Sequence, residues 1–314
     1  MSQLEENRTI GKTDIRIPPL GIGAMAWGDR FVWSYGRGYG EKDIKSAFLT
    51  SLEAGITFVD TAEIYGLGRS ERYIGKFLSE AKKPVVIATK FFPFPWRLSK
   101  GSLLRALRYS LRRLKLEKVD LYQVHSPSSR IPIETWADAL AETVQIGLAR
   151  AVGVSNYNEE QMRRAFDTLA THGIPLASNQ VVYNLIDRRV EFGGLLKTCK
   201  ELGISLIAYS PLAQGVLTGK YTPDNPPPGL RGQIYRRPLL ERAQPLIRLM
   251  REISDYHQGK TPAQVALNWV ICKGAIPIPG AKNARQAQEN AGAMGWSLSE
   301  AEVIALDEMS GELT

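Results

Sequence analysis

The chain has 314 residues, 44% of them hydrophobic and 23% charged, with a formal net charge of +8. No uncharged apolar run reaches the ~18 residues of a membrane-spanning helix, and the acidic start Met1-Ser2-Gln3-Leu4-Glu5-Glu6-Asn7-Arg8 lacks the apolar centre of a secretion signal. The two cysteines, Cys199 and Cys272, are far apart and cannot build a disulfide framework or a zinc finger, so the reading is of a cytoplasmic chain.

In chain order, residues 9–17 read as a hairpin turning near 12–14, placed to plug the bottom of a barrel. Short apolar runs follow at 20–23, 57–62, 85–89, 119–125, 151–155, 177–182, 205–209 and 275–279. Amphipathic stretches at 42–54, 70–78, 103–114, 133–145, 159–170, 190–201 and 241–269 separate them. Such alternation predicts parallel strands joined by crossover helices, and the fold class is an α/β (β/α)8 TIM barrel, a single domain over 1–314. Gly55, Gly173 and Gly203 each stop a helix just before a strand, one grammar used three times. The densest basic stretch, Arg105 to Lys118, also carries leucines at helical spacing and has no nucleic-acid motif beside it. It reads as a helix with a solvated charged face, with neither nucleic acid nor membrane as partner. Residues 221–238 hold Pro223, Pro226, Pro227, Pro228, Pro238 and three arginines, which predicts a helix-hostile loop after the seventh strand, suited to be a lid. A last helix is predicted at 299–309.

Nearly every predicted strand ends in a polar group: Asp60, Lys90, His125, Ser155-Asn156, Gln180 and Tyr209-Ser210. Those ends form the C-terminal face where barrels place their active sites, and a barrel built only for stability has no use for them. Three of the segments are Phe58-Val59-Asp60-Thr61-Ala62-Glu63-Ile64-Tyr65-Gly66, Ile87-Ala88-Thr89-Lys90 and Asp120-Leu121-Tyr122-Gln123-Val124-His125-Ser126-Pro127. They resemble, in order, the catalytic motifs of the aldo-keto reductase superfamily. The resemblance continues through Gly153-Val154-Ser155-Asn156-Tyr157, Gln180, Ala208-Tyr209-Ser210-Pro211-Leu212 and Ile278-Pro279-Gly280-Ala281-Lys282, so it spans essentially the whole chain. Within the superfamily the sequence looks like the cyanobacterial and plant-plastid members, pyridoxal reductase-like ones among them.

The resemblance implies NADPH-dependent reduction of an aldehyde or ketone, the small-molecule partner. Tyr65 would be the proton donor and Lys90 the cation that lowers its pKa. Asp60 would keep Lys90 charged, and His125 would orient the carbonyl oxygen. No Gly-x-Gly-x-x-Gly opens a helix after a strand, so the cofactor is not expected in a Rossmann site. The resemblance instead assigns Ser155, Asn156 and Gln180 to the nicotinamide amide and Tyr209 to the ring face. It gives the loop of Ser210, Pro211, Leu212, Gln214, Gly215, Leu217 and Lys220 to the pyrophosphate, and Gly280, Lys282, Gln286, Glu289 and Asn290 to the adenosine. Lys282 with Arg285 would meet the 2′-phosphate; Gln286 stands where some relatives carry Arg, which removes a bidentate clamp. Trp27, Trp33, Phe91 and Trp96, with Phe92 and Tyr183, are candidate walls of the substrate pocket, and the Gly-rich aromatic segment 33–39 a candidate mobile rim. No metal is assigned, because the three histidines are scattered. Two other readings are an NADPH-binding redox-sensing subunit resembling potassium-channel β-subunits, and a Schiff-base aldolase using Lys90. Pairing with Asp60 argues against the aldolase, because a protonated lysine is no nucleophile.

Overall fold

The computed structural model describes residues 7–311 and 313. Eight parallel strands run in chain order around one sheet: β3 (Ile22–Gly23), β4 (Phe58–Asp60), β5 (Val86–Phe91), β6 (Val119–Val124), β7 (Ala149–Ser155), β8 (Leu176–Val182), β9 (Ser205–Tyr209) and β10 (Ile276–Pro277). The ends of the sheet meet: Gly23 bridges Gly280 in parallel, and Gly21 and Gly23 donate to Pro277 and Pro279 carbonyls at 2.9 and 3.0 Å. The chain is thus a (β/α)8 barrel, as its alternation of elements predicts. No helix among the described residues is long and apolar enough to cross a membrane.

The predicted hairpin is β1 (Arg8–Thr9) paired antiparallel with β2 (Arg16–Ile17). Ile10, Ile15 and Ile17 are fully buried and join Phe58, Ala88, Leu121, Ala177, Ile207 and Ile276 from the strands in one apolar cluster, so the hairpin closes the end opposite the strand C-termini. Gly11 makes this possible. Its φ is +55°, and a Cβ there would lie 2.5 Å from the Ala177 carbonyl oxygen.

The helices are α1 (Glu41–Glu53), α2 (Arg69–Phe77), α3 (Lys100–Leu114), α4 (Ile133–Gln145), α5 (Glu159–Thr171), α6 (Arg189–Phe192), α7 (Leu195–Leu202), α8 (Leu230–Ile234), α9 (Arg237–Tyr256), α10 (Pro262–Cys272), α11 (Ala284–Ala291) and α12 (Glu300–Gly311). In α3 the leucines are buried and Arg105, Arg108 and Arg112 face solvent, as expected of an amphipathic helix. Three expectations need correction. The stretch 241–269 is two helices, broken where Gln258 and Gly259 take φ of +58° and +79° and Thr261 caps a new helix with Pro262 in its first turn. The stretch 190–201 breaks at Gly194, φ +75°. Residues 221–238 are not helix-hostile throughout: they contain α8, and Pro238 lies in the first turn of α9, where its missing N–H costs nothing.

Candidate active site

Asp60 closes β4, Lys90 lies near the end of β5, and His125 follows β6 directly. Tyr65 is carried by a 3-10 turn, Tyr65–Gly68, entered when the Thr61 and Glu63 N–H groups pair with Ala88 and Lys90 carbonyls at 2.9 and 3.3 Å. Gly66 takes φ +56° and presses on Gly28, where a Cβ would come within 2.7 Å of the backbone. Ser70 ties the turn down, with its hydroxyl 2.8 Å from that of Thr61 and donating to the Ala24 carbonyl at 2.9 Å. The sharp turn returns the tyrosine to the strand ends it has just left.

These side chains converge. The Lys90 ammonium donates to the Asp60 carboxylate, to the Thr61 carbonyl at 2.9 Å and to the Tyr65 hydroxyl at 3.4 Å. The other Asp60 oxygen accepts from Gln180 Nε2 at 2.9 Å and Gln123 Nε2 at 3.3 Å. Lys90 and Asp60 are buried to 0% and 1% exposure. Burial disfavours the ammonium, but Asp60 and then Tyr65 outweigh it and hold Lys90 above the ordinary lysine pKa. Lys90 stays protonated, which removes the ground for an aldolase nucleophile. Burial dominates at Tyr65 and raises its pKa, although Lys90 pulls the other way. The expected net depression of the phenol is therefore corrected: Asp60 already neutralises the ammonium and itself opposes a phenolate. His125 is pushed down to about 3, by burial first and by Lys90 second, so the imidazole is neutral. Its ring meets Tyr65 edge-on at 5.7 Å, and its Nδ1 is buried without a partner.

Asp60, Tyr65 and His125 line one cleft of about 830 Å³ at the strand C-termini, with Lys90 buried behind them. Ser155, Asn156, Gln180, Tyr209, Ser210, Pro211, Leu212, Gln214, Gly215, Lys220, Gly280, Lys282, Gln286, Glu289 and Asn290 all line it, as does Arg285. Asn156 donates to the His125 carbonyl at 2.9 Å and accepts from the Tyr209 hydroxyl at 3.0 Å. Ser210, Ala213, Gln214 and Gly215 have left-handed backbones, a conformation in which loops turn N–H groups toward anions. Gln286 accepts from the Lys282 N–H at 2.9 Å, and Asn283 caps α11.

Six residues expected on the cleft wall do not line it: Leu217, Trp27, Phe91, Phe92, Trp96 and Tyr183. Leu217 is fully buried and its N–H is spent on the Leu212 carbonyl at 3.3 Å, so it is not on the wall. Trp27 is core: its indole donates to the Ala281 carbonyl at 2.8 Å. Phe91 is buried against Trp136, with ring centroids 4.9 Å apart. Trp96 is 72% exposed, stacked on Phe94 outside the cleft. Trp33 does line it. Tyr183 is buried and donates to Glu191 at 2.6 Å. In the 33–39 segment Tyr39 donates to the Ala26 and Trp33 carbonyls and Tyr35 to the Tyr73 hydroxyl. Sequence reading missed Met25, Ala26, Ile64, Tyr221 and Arg231 on the wall. Only Arg231 had a signal, as one of the arginines in the proline-rich segment.

Residues 19–310 match the profile of the Aldo/keto reductase family, and the chain belongs to that family. It is therefore an oxidoreductase of a family that in general uses NADP(H). The chloroplastic pyridoxal reductase of Arabidopsis thaliana is 41% identical over 307 residues, covering 93% of this chain and 83% of that one. The L-glyceraldehyde 3-phosphate reductase of Escherichia coli is 32% identical over 332 residues, covering 98% and 93%. Among solved structures, an aldo/keto reductase from Klebsiella pneumoniae in complex with NADP and acetate superposes with a TM-score of 0.75 at 27% identity, covering 97% of this chain and 95% of that one.

Proposed function

We propose that the protein reduces uncharged aldehydes and ketones with NADPH. The observation that carries this reading is the meeting of Tyr65, Lys90, Asp60 and His125 at one end of a cleft whose other segments supply cations. The cofactor fits the residues present. Lys220, Arg231, Lys282 and Arg285 line the cleft, and the buried Gln214 Oε1 and Trp33 Nε1 have no partner. Ser155, Asn156 and Gln180 would hold the carboxamide, Tyr209 the ring, the 210–220 loop the diphosphate, and Lys282 the 2′-phosphate.

NADPH, when bound, supplies the hydride that goes to the carbonyl carbon. Tyr65 donates its proton to the carbonyl oxygen as negative charge develops there. Its phenolate is then stabilised by Lys90, which Asp60 keeps charged and fixed, until a proton returns from solvent. The N–H of neutral His125 holds the oxygen in line with Tyr65. Met25, Ala26 and Ile64 add apolar side chains to the cleft wall. The cations on the cleft wall come from segments after the last two strands, which favours an uncharged carbonyl over a phosphorylated one.

The test is NADPH consumption with aromatic aldehydes, short aliphatic aldehydes, methylglyoxal, pyridoxal and a phosphorylated aldehyde, beside Tyr65→Phe. The variant is expected to lose about 100-fold or more in kcat while binding NADPH within about threefold of native. Normal turnover by the variant overturns the acid assignment, and preference for the phosphorylated aldehyde overturns the substrate class.

A further inference from the structure

Lys220, Arg231 and Lys282 share the cleft, yet among the described residues none is ion-paired with a carboxylate. Of the acids on the same wall, Asp60 is committed to Lys90, Asp29 Oδ1 accepts the N–H groups of Phe31, Val32 and Trp33, and Glu289 makes no ion pair. Each cation instead lies on an aromatic face. Lys282 Nζ is 4.5 Å from the Tyr39 ring centroid and 5.1 Å from that of Trp33; Arg231 is 5.3 Å from Trp33; Lys220 is 4.9 Å from Tyr221. Lys282 also donates to the Trp33 carbonyl at 3.1 Å. Burial, Arg231 and Lys220 together bring its pKa down to about 8, so the three cations repel one another.

A carboxylate would relieve that repulsion, but it would compete with any incoming anion. An aromatic face attracts a cation through its quadrupole and leaves the charge uncancelled. It also fixes a long side chain that would otherwise lose rotamer entropy on binding. We propose that Trp33 and Tyr39, on the loop between β3 and α1, are positioning residues that set affinity for the phosphates of NADPH, by holding Arg231 and Lys282 charged, ordered and unneutralised. The inference rests on the reading that NADPH occupies the cleft. It moves part of the discrimination for the 2′-phosphate onto a loop that need not touch the phosphate. It also gives Trp33 a role different from that of a substrate wall.

Calorimetric titration with NADPH and with NADH, at fixed pH 7 and fixed salt, tests it on native protein and on Trp33→Leu, Trp33→Phe, Tyr39→Leu and Lys282→Met. Trp33→Leu removes the face shared by two cations and is expected to weaken NADPH about tenfold or more, with Trp33→Phe restoring it to within about threefold. Of the two cations, Tyr39→Leu strips an aromatic face from Lys282 alone, together with the hydroxyl that ties down the Ala26 and Trp33 carbonyls, and is expected to weaken NADPH about fivefold more than NADH. Native affinity in both leucine variants, equal loss of the two nucleotides in Tyr39→Leu, or no rescue by phenylalanine overturns the proposal. Should Trp33→Leu not fold, Tyr39→Leu decides alone. Lys282→Met separates the two layers. If it leaves the NADPH to NADH ratio unchanged, the reading of the cofactor site falls. If it collapses the ratio while the leucine variants bind as native, only the aromatic support falls.

Discussion

Replacing Asp60 by alanine would strand a buried ammonium. Lys90 has no exposed surface, and without Asp60 its remaining partners are the Thr61 carbonyl and the Tyr65 hydroxyl, at 2.9 and 3.4 Å. Gln180 and Gln123 also lose the acceptor they share. Breaking a buried pair from one side costs about 3–5 kcal/mol. The lysine can escape by shedding its proton, which at pH 7 costs an ordinary lysine about 5 kcal/mol, so the loss is bounded from above at a similar figure. With a urea m-value of about 3 kcal/mol/M for a chain of this size, the unfolding midpoint should fall by about 1–1.7 M. The assay is equilibrium unfolding in urea followed by tryptophan fluorescence at pH 7. The double variant Asp60→Leu with Lys90→Met removes both charges and should recover most of the loss, because apolar replacements of a buried pair are near neutral. It should remain inactive. An Asp60→Ala midpoint within about 0.3 M of native, or a double variant no more stable than the single one, would refute the argument.

His125 should be visible in acid. Its folded pKa, about 3, lies below the ordinary 6.5, so between those values the unfolded chain binds a proton that the folded chain refuses. Its contribution to stability is present above pH 6.5 and is lost as pH falls from there toward 3. Urea midpoints at pH 7, 5.5 and 4.5 should therefore fall more steeply for native protein than for His125→Gln, and parallel lines would contradict the burial argument. The same neutrality means that kcat/KM should show no acid limb near pH 6.5 attributable to His125, which a pH–rate profile checks. Gly75→Ala would place a Cβ 2.5 Å from the Arg113 carbonyl oxygen and force α2 off α3. It should cost about 1–3 kcal/mol in the same urea assay, and a neutral result would mean the helices can separate freely.

The barrel and the cluster of polar side chains at its strand ends were legible because each polar residue there interrupts an apolar run at the end of a strand. Asp60, Lys90 and His125 stand out against Phe58, Ala88 and Val124. The break at 257–261 was also written in the chain, as Gly259 followed by Thr261 and Pro262, but the apolar periodicity on either side masks it. The tryptophans were not legible. An indole suits a core and a cleft equally, and only the tertiary arrangement sends Trp27 to the interior, Trp96 to solvent and Trp33 between two cations. The depression expected for Tyr65 failed for a related reason. Sequence order brings a lysine beside a phenol, but the balance between that charge and burial depends on how deep both sit.

The seam where Gly23 meets Gly280 has a consequence for how the protein comes into being. Trp27 reaches across it to Ala281, 254 positions away, and Lys282 reaches back to Trp33 over 249. Strands β4 to β9 can pair with their neighbours as they are synthesised, whereas this joint waits for nearly the whole chain. The quartet proposed for catalysis belongs to the early half, and the cations proposed to meet the phosphates to the late half. On a growing chain Tyr65 and its neighbours are laid down long before Lys282 exists, so under the proposed reading the ability to hold NADPH would report that the two ends have met.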